Sequence, residues 1–175
     1  MNQLTRRILI VAILALGTAV FVAPTVSAQG EHFTKRGVPV CTDIGTQLRC
    51  TGELAGLGNE DLEIVVSADA LVQANCVNPG GNEAPGQNKV LREASGTTTI
   101  PGSAIKNGRA RFTTTTDPVQ APTAEEAGCP NPNWSTRVVA VRFSNVVVTI
   151  SQGGELLFTC TAASIPENGS RRLAC

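Results

Sequence analysis

Apolar and polar residues alternate one by one over much of the chain from residue 48 onward, which is the spacing of half-buried β-strands. The clearest segment is LEIVVSADALVQANC, where every second residue from Leu62 to Cys76 is apolar or small. At about 3.3 Å per residue this segment is longer than an ordinary strand, so we expect a bend or bulge near Ala68–Ala70. The phase predicts that Cys76 points into the core.

Weaker alternation predicts further strands on both sides of this segment. Asn107-Gly108 and Gln152-Gly153-Gly154 separate apolar stretches and predict hairpin turns, because Asn and Gly tolerate positive φ. No helix of three turns is predicted after residue 28. Seven or eight short strands with Gly, Pro and Asn turns indicate an all-β fold, an antiparallel β-sandwich of immunoglobulin-like type.

The amino terminus predicts a secretory signal peptide. Arg6 and Arg7 precede an apolar run, and the small residues Val26-Ser27-Ala28 follow it, so we expect cleavage after Ala28. The alternative is a retained membrane anchor, for which the run is somewhat short. We therefore expect a secreted, extracellular protein with no stable membrane insertion after cleavage.

The same patterns predict a single domain. The expected segments are a signal peptide (1–28), a loose amino-terminal segment (29–47), a β-sandwich (48–162) and a tail tied down if Cys175 is bonded (163–175). We also expect one helical turn at Ala124 to Ala127, inside a long loop.

The overall amino-acid composition does not indicate a polyanionic partner. The chain has 14 basic and 14 acidic residues, and removal of Arg6 and Arg7 leaves 12 and 14, a net charge of about −2. Neither sign dominates, so we predict no binding to nucleic acid. The expected partner is an extracellular protein or a glycan.

Six cysteines follow the predicted cleavage site, and an even number in a secreted chain indicates disulfides. No two of them have the close spacing of zinc ligands. We pair Cys76 with Cys129, since each lies beside a loop rich in Pro and Asn. Two arrangements remain open for the other four: Cys41–Cys50 with Cys160–Cys175, or Cys50–Cys160 with Cys41–Cys175.

The segment CVNPGGNEAPGQNK, residues 76–89, is the most distinctive loop. Turn chemistry accounts for its composition, because Asn and Gly accept left-handed conformations and Pro presets a turn. Loops at one end of a sandwich also commonly carry binding sites. The candidate binding residues in this loop and in CPNPNW are Asn78, Asn82, Gln87, Asn88, Asn131 and Trp134, although Trp134 also suits packing in the core or against a loop.

No catalytic constellation is visible. His32 is the only histidine and lies in the segment expected to be loose, and no G-x-S-x-G motif occurs. We predict no catalytic residues, no metal site and no cofactor. Bonded cysteines are also unavailable as nucleophiles.

The landmarks GLGN, NPGGN-APGQN and CPNPNW occur in this order over residues 50 to 160. This arrangement resembles a group of small secreted bacterial proteins of unknown function with one β-rich domain. The resemblance implies a single domain and the Cys76–Cys129 pair, and it implies no activity.

We therefore expect a secreted, non-enzymatic β-sandwich that acts as an extracellular binding or surface-association module. The alternative is a secreted hydrolase, or a protease inhibitor that presents the Gly80–Gln87 loop in extended form.

Overall fold

The computed structural model describes residues 30–175, so the predicted signal peptide lies outside the described residues. These residues form nine β-strands and one short 3₁₀ turn, Gly102–Ala104. The strands are β1 (His32–Phe33), β2 (Val40–Asp43), β3 (Leu48–Ala55), β4 (Leu62–Val77), β5 (Glu83–Ile100), β6 (Arg109–Thr115), β7 (Ser135–Gln152), β8 (Glu155–Ser164) and β9 (Ser170–Arg172).

Two antiparallel sheets pack face to face and confirm the predicted β-sandwich. The four-stranded sheet has the order β5-β4-β7-β8. In the five-stranded sheet, β6 lies along one edge of β3, while β2 and β1 lie along the other, and β9 pairs with β2. The immunoglobulin-like type stays a prediction.

One hydrophobic core lies between the sheets, and strand alternation builds it. The apolar phase of β4 is buried throughout, from Leu62 to Cys76, while the intervening residues are at least partly exposed. Phe143 and Ile150 of β7 and Phe112 of β6 pack into the same cluster. The core begins at Cys41 and ends at Leu173, which is wider than the predicted sandwich segment.

The expected irregularity near residues 68–70 is present as a register shift. Two steps along β4, from Ser67 to Asp69, match three steps along β7, from Val147 to Ser144, so the extra residue belongs to β7. Asn145 has φ of 50° at this bulge. A side-chain hydrogen bond of 2.7 Å from Asn145 Nδ2 to Asp69 Oδ2 joins the two strands.

The prediction of a loose segment over 29–47 is wrong for its described part. His32–Phe33 pairs with the end of β3, and Val40–Asp43 pairs with both β3 and β9. The tail is also ordered by a strand, Ser170–Arg172. These strands span only two to four residues, which is too few for alternation to show, and their neighbours hold them in place.

Two other boundaries differ from expectation. Strand β5 begins at Glu83 rather than after Lys89, because it turns back on β4 at once and Cys76 pairs with Ala84. Asn107 and Gly108 have φ of 52° and 67° in the predicted turn, but Lys106 contributes only an isolated bridge to Arg109. The strand after this turn pairs with β3 instead.

Three disulfides link Cys41 to Cys50, Cys76 to Cys129 and Cys160 to Cys175. This is the first of the two arrangements that the sequence left open. The first bond spans the adjacent strands β2 and β3, and the third ties the tail to β8. No helix within residues 30–175 is long and apolar enough to cross a membrane.

Candidate functional site

The Cys76–Cys129 bond holds two loops at one end of the sandwich, residues 78–82 and 122–134, which we call the loop end. Asn78 closes the first loop: its backbone N–H donates to Asn82 O at 3.0 Å, and its Oδ1 accepts from Asn82 N at 2.9 Å. Gly81 N donates to Asn78 O at 2.9 Å, with φ of 78° at Gly81. The Asn78 side chain therefore stabilises the turn by accepting a hydrogen bond from its backbone.

The second loop contains the predicted helical turn, which a capping box stabilises. Thr123 N donates to Glu126 Oε2 at 2.8 Å, and Glu126 N donates to Thr123 Oγ1 at 3.2 Å. Arg92 of β5 donates to the same carboxylate at 2.8 Å. These hydrogen bonds lower the pKa of Glu126, with the Thr123 backbone N–H as the main cause and Arg92 adding to it.

Asn88 fastens β5 to this turn. Its Nδ2 donates to Glu126 O at 3.1 Å, and its backbone N–H donates to Ala127 O at 3.0 Å. Asn131 is likewise used locally, since its Oδ1 accepts from Asn133 N at 2.9 Å. Trp134 is half-buried at the end of the loop. Three of the predicted binding amides thus have an architectural role.

Asn82 and Gln87 are the two predicted amides whose side chains make no hydrogen bond within residues 30–175, and both are exposed. Asn82 precedes and Gln87 follows a stretch of the chain, Glu83 to Pro85, that pairs with β4. The Gly80–Gln87 segment is therefore largely part of a sheet and does not project as an extended loop.

Next to the loop end, Glu83 joins three strands on the outer side of the four-stranded sheet. Its Oε2 accepts from Asn75 Nδ2 at 3.0 Å, and Arg137 forms an ion pair with the same carboxylate. The Asn75 hydrogen bond is the main cause of a lowered pKa for Glu83, and Arg137 adds to it.

Groups that could support catalysis or metal binding do not come together in the part of the chain that the structure describes. His32 lies in β1 opposite Ala55, and its ring nitrogen Nδ1 forms a hydrogen bond with Gly30 O at 2.8 Å. No group of three or more His, Cys, Asp or Glu side chains in residues 30–175 is placed to hold a metal ion.

The most distinctive surface lies elsewhere, on the outer side of the five-stranded sheet. Strands β3 and β6 direct Leu54 and Phe112 into the core, so the alternate residues Glu53 and Arg111 face solvent. Six exposed cations occupy this side and the segments that flank it, and we call them the basic face: Arg36, Arg49, Lys106, Arg109, Arg111 and Arg172.

One carboxylate lies among these cations. Glu53 Oε2 accepts from Arg111 Nε at 3.0 Å, and the Arg111 side chain keeps 83% of its surface exposed. Two shallow grooves meet at this ion pair. One, of about 280 Å³, is lined by Arg36 and by Thr51 and Thr113; the other, of about 390 Å³, is lined by Lys106 and Arg109.

The outer side of the opposite sheet differs in charge. Its strands β4, β5 and β7 carry four acids and three bases in their outward phase: Glu63, Asp69, Glu83, Glu93, Lys89, Arg137 and Arg142. Residues 30–175 contain 14 acids and 12 bases, yet four cations and a single carboxylate line the two grooves of the basic face. Composition alone misses this surface.

The alternation in RARFTTTT does place Arg109 and Arg111 on the solvent side, and Arg49 has the same phase in its strand. The pairing of β3 with β6 is what joins them. No family model, curated protein or solved structure matches the chain. The interpretation of this surface therefore rests on its geometry and charge.

Proposed function

We propose that this protein is a secreted, non-enzymatic binding module that associates with an anionic extracellular polysaccharide through the basic face. The observation that carries the proposal is the segregation of charge: the basic face groups six cations, and a single carboxylate lines its two grooves, although residues 30–175 contain 14 acids and 12 bases. Cations grouped on one side attract a polyanion and orient its approach.

The arginines suit the anionic groups of such a polymer. A guanidinium group donates two parallel hydrogen bonds to a carboxylate, sulfate or phosphate. Thr51 and Thr113 line the first groove together with Arg36 and Arg111, and their hydroxyl groups offer donors and acceptors to sugar hydroxyls. The two grooves meet at Glu53–Arg111, so an elongated polymer can follow both.

A neutral glycan fits this surface less well. Neutral sugars are commonly bound by stacking on flat aromatic rings, and the residues that line the two grooves include one aromatic side chain, Phe112, which is buried. We therefore expect ionic contacts to contribute most of the affinity on the basic face.

Three disulfides in residues 30–175 suit an oxidising compartment. Together with the predicted cleavage after Ala28, they support secretion. The resemblance to small secreted bacterial proteins agrees with this location and adds no activity. The Gly80–Gln87 segment gives no support to the inhibitor alternative, because most of it is paired with β4.

Binding to immobilised dextran sulfate, with neutral dextran as the reference, tests the proposal. R36Q/R109Q removes two groove cations that are not in ion pairs within the described residues. An exposed charge contact contributes about 0.5–1 kcal/mol, so the Kd should rise about 5- to 30-fold. Raising NaCl from about 0.05 to about 0.5 M should weaken binding of the unaltered protein strongly.

K89Q/R142Q is the matched control, since it removes the same charge from the opposite sheet. We expect this variant to bind dextran sulfate within about twofold of the unaltered protein, because the sites lie outside the basic face. An equal loss of affinity in both double variants would contradict the proposal, and so would equal binding to neutral dextran.

A further inference from the structure

The four-stranded sheet has an open edge that the basic face does not involve. Strand β8 pairs with residues Ser144–Gln152 of β7 and stops there. The first half of β7, residues 135–143, has β4 on one side and no strand of the described chain on the other.

The backbone at this edge is directed outward. Phe143 O accepts a hydrogen bond from Ile165 N at 3.0 Å, which shows that Phe143 presents its polar atoms on the side away from β4. In an antiparallel strand every second residue directs its N–H and C=O to the same side. Val141 therefore presents its N–H and C=O at the open edge, ready to pair with an added strand.

A cleft of about 150 Å³ lies against this edge. Its walls are the turn after β2 and the turn before β9, and Asp43 fixes both of them. Asp43 Oδ1 accepts from Gly45 N at 2.8 Å, and its Oδ2 accepts from Asn168 N at 2.9 Å. The walls are thus held rigidly beside residues 138–141.

One exposed aliphatic side chain lines this cleft, and a second belongs to the turn that forms one of its walls. Val139 is 47% exposed and lines it, and Ile44, on the adjoining turn, is 36% exposed. They account for two of the four large apolar residues exposed within residues 30–175. Exposed edges are commonly protected by Lys, Pro or a bulge. Val138-Val139-Ala140-Val141 contains no Lys or Pro, and its irregularity is confined to Val139.

We propose that this edge binds an extended peptide segment of a partner protein by β-strand addition. The peptide pairs with the backbone of Val141, and its alternate apolar side chains cover Val139 and Ile44. The charged residues that line the cleft are Asp43 and Glu167, and Arg142 lies 3.9 Å from Glu167. One negative charge is left over at the cleft, so we expect the peptide to carry a basic side chain at this point.

A peptide fits the edge better than a second copy of the chain. Val139 is an extra residue in β7, because one step from Gln73 to Ala74 matches two steps from Ala140 to Val138. Such a bulge limits regular pairing at this edge to a few residues beside Val141, which a short peptide segment can use and a long sheet edge of a second copy cannot. The two turns beside the edge would also meet their counterparts in a second copy, whereas a single strand enters between them.

The probe is a synthetic peptide of about ten residues in which valine alternates with threonine, with lysine at each end. A second peptide with proline at its centre cannot form the ladder. We expect saturable binding of the first peptide only. We also expect hydrogen exchange of the Val141 amide to slow at least about tenfold when the peptide is bound, because the amide becomes hydrogen-bonded.

I44K/V139K places two charges at the cleft and should abolish peptide binding. L91K/L156K alters the other two exposed apolar residues and should leave peptide binding unchanged. Amide NMR spectra verify that both variants fold. The proposal is overturned if the alternating peptide fails to bind, if I44K/V139K still binds it, or if the Val141 amide stays unprotected. A concentration-dependent dimer that I44K/V139K removes would assign the edge to a second copy instead.

Discussion

Gly96 of β5 lies so close to Thr115 of β6 that a β-carbon on Gly96 would stand 2.3 Å from the Thr115 carbonyl oxygen. Nearby, Thr98 Oγ1 donates to Thr113 O at 3.3 Å, and Asp117 N donates to Ser95 O at 2.8 Å. The two sheets therefore meet along this side, and the outer edge of β5 is covered by the chain that follows β6.

G96A should destabilise the fold, because the atoms in the way belong to the backbone and must move. Overpacking of this kind costs about 1–3 kcal/mol. G58A is the control, since a β-carbon there would approach nothing closer than 3.6 Å. We expect G58A to change the free energy of unfolding by less than about 1 kcal/mol. Urea denaturation measures both variants, and equal effects would contradict the close approach.

The three disulfides should contribute unequally to stability. The Cys76–Cys129 bond closes a loop of 53 residues, and in the chain-entropy model its removal costs about 4 kcal/mol. The Cys41–Cys50 bond closes a loop of 9 residues, with a cost of about 2.5 kcal/mol in the same model. C76A/C129A should therefore unfold at lower urea than C41A/C50A, and the reverse order would contradict the entropic account.

Glu83 should give the protein a pH-dependent stability. Its pKa in the fold lies below the ordinary value of 4.5, so its contribution is present above about pH 4.5 and is lost as pH falls through the folded pKa. E83Q should be less stable than the unaltered protein at pH 7, and the difference should shrink at pH values near 2.

N75A tests the cause of this shift, because the Asn75 hydrogen bond is the largest contribution. The carboxyl chemical shift of Glu83, followed by NMR, should titrate closer to the ordinary value in N75A. An unchanged titration would mean that Arg137 alone sets the pKa.

Asn88 and Gln87 are neighbours with opposite expected behaviour. N88A removes the bond from Asn88 Nδ2 to Glu126 O, which should cost about 1 kcal/mol and lower the Tm. Q87A removes an exposed side chain without a hydrogen bond in the described residues, so its Tm should change little. Thermal unfolding followed by circular dichroism measures the Tm of both variants. A larger loss in Q87A would show that Gln87 has a structural contact of its own.

Much of the fold could be predicted because β4 separates core from solvent along its whole length. From Leu62 to Cys76 one phase is buried, and this imposes a period of two on the sequence. Strands β1, β2 and β9 are too short to impose a recognisable period of two on the sequence. Their stability comes from pairing with β3 or β2 and from the Cys41–Cys50 bond, which are contacts between distant parts of the chain.

The basic face also combines features that local alternation predicts with features that depend on contacts between distant strands. The outward phase of Arg49, Arg109 and Arg111 can be read locally, but their shared surface depends on which strands pair. Arg172 joins this surface through β9, a strand in a segment for which the sequence predicts only a tail. For the loop amides the sequence predicts both a turn role and a binding role, and the structure shows the turn role for Asn78 and Asn131, whose side chains accept hydrogen bonds within their own turns.

Because the basic face lies on one sheet of the sandwich, it would determine how the protein is oriented on a bound polyanion. A sandwich lying with its basic face on a polyanion would turn the four-stranded sheet outward, away from the polymer. The cleft beside Val141 lies between the edge of that outward sheet and the turns that adjoin β2 and β9. It shares no lining residue with the two grooves of the basic face, so it would remain accessible while the basic face is occupied. The protein would then act as an adaptor, with one layer on the polymer and the other presenting a strand edge to a second partner.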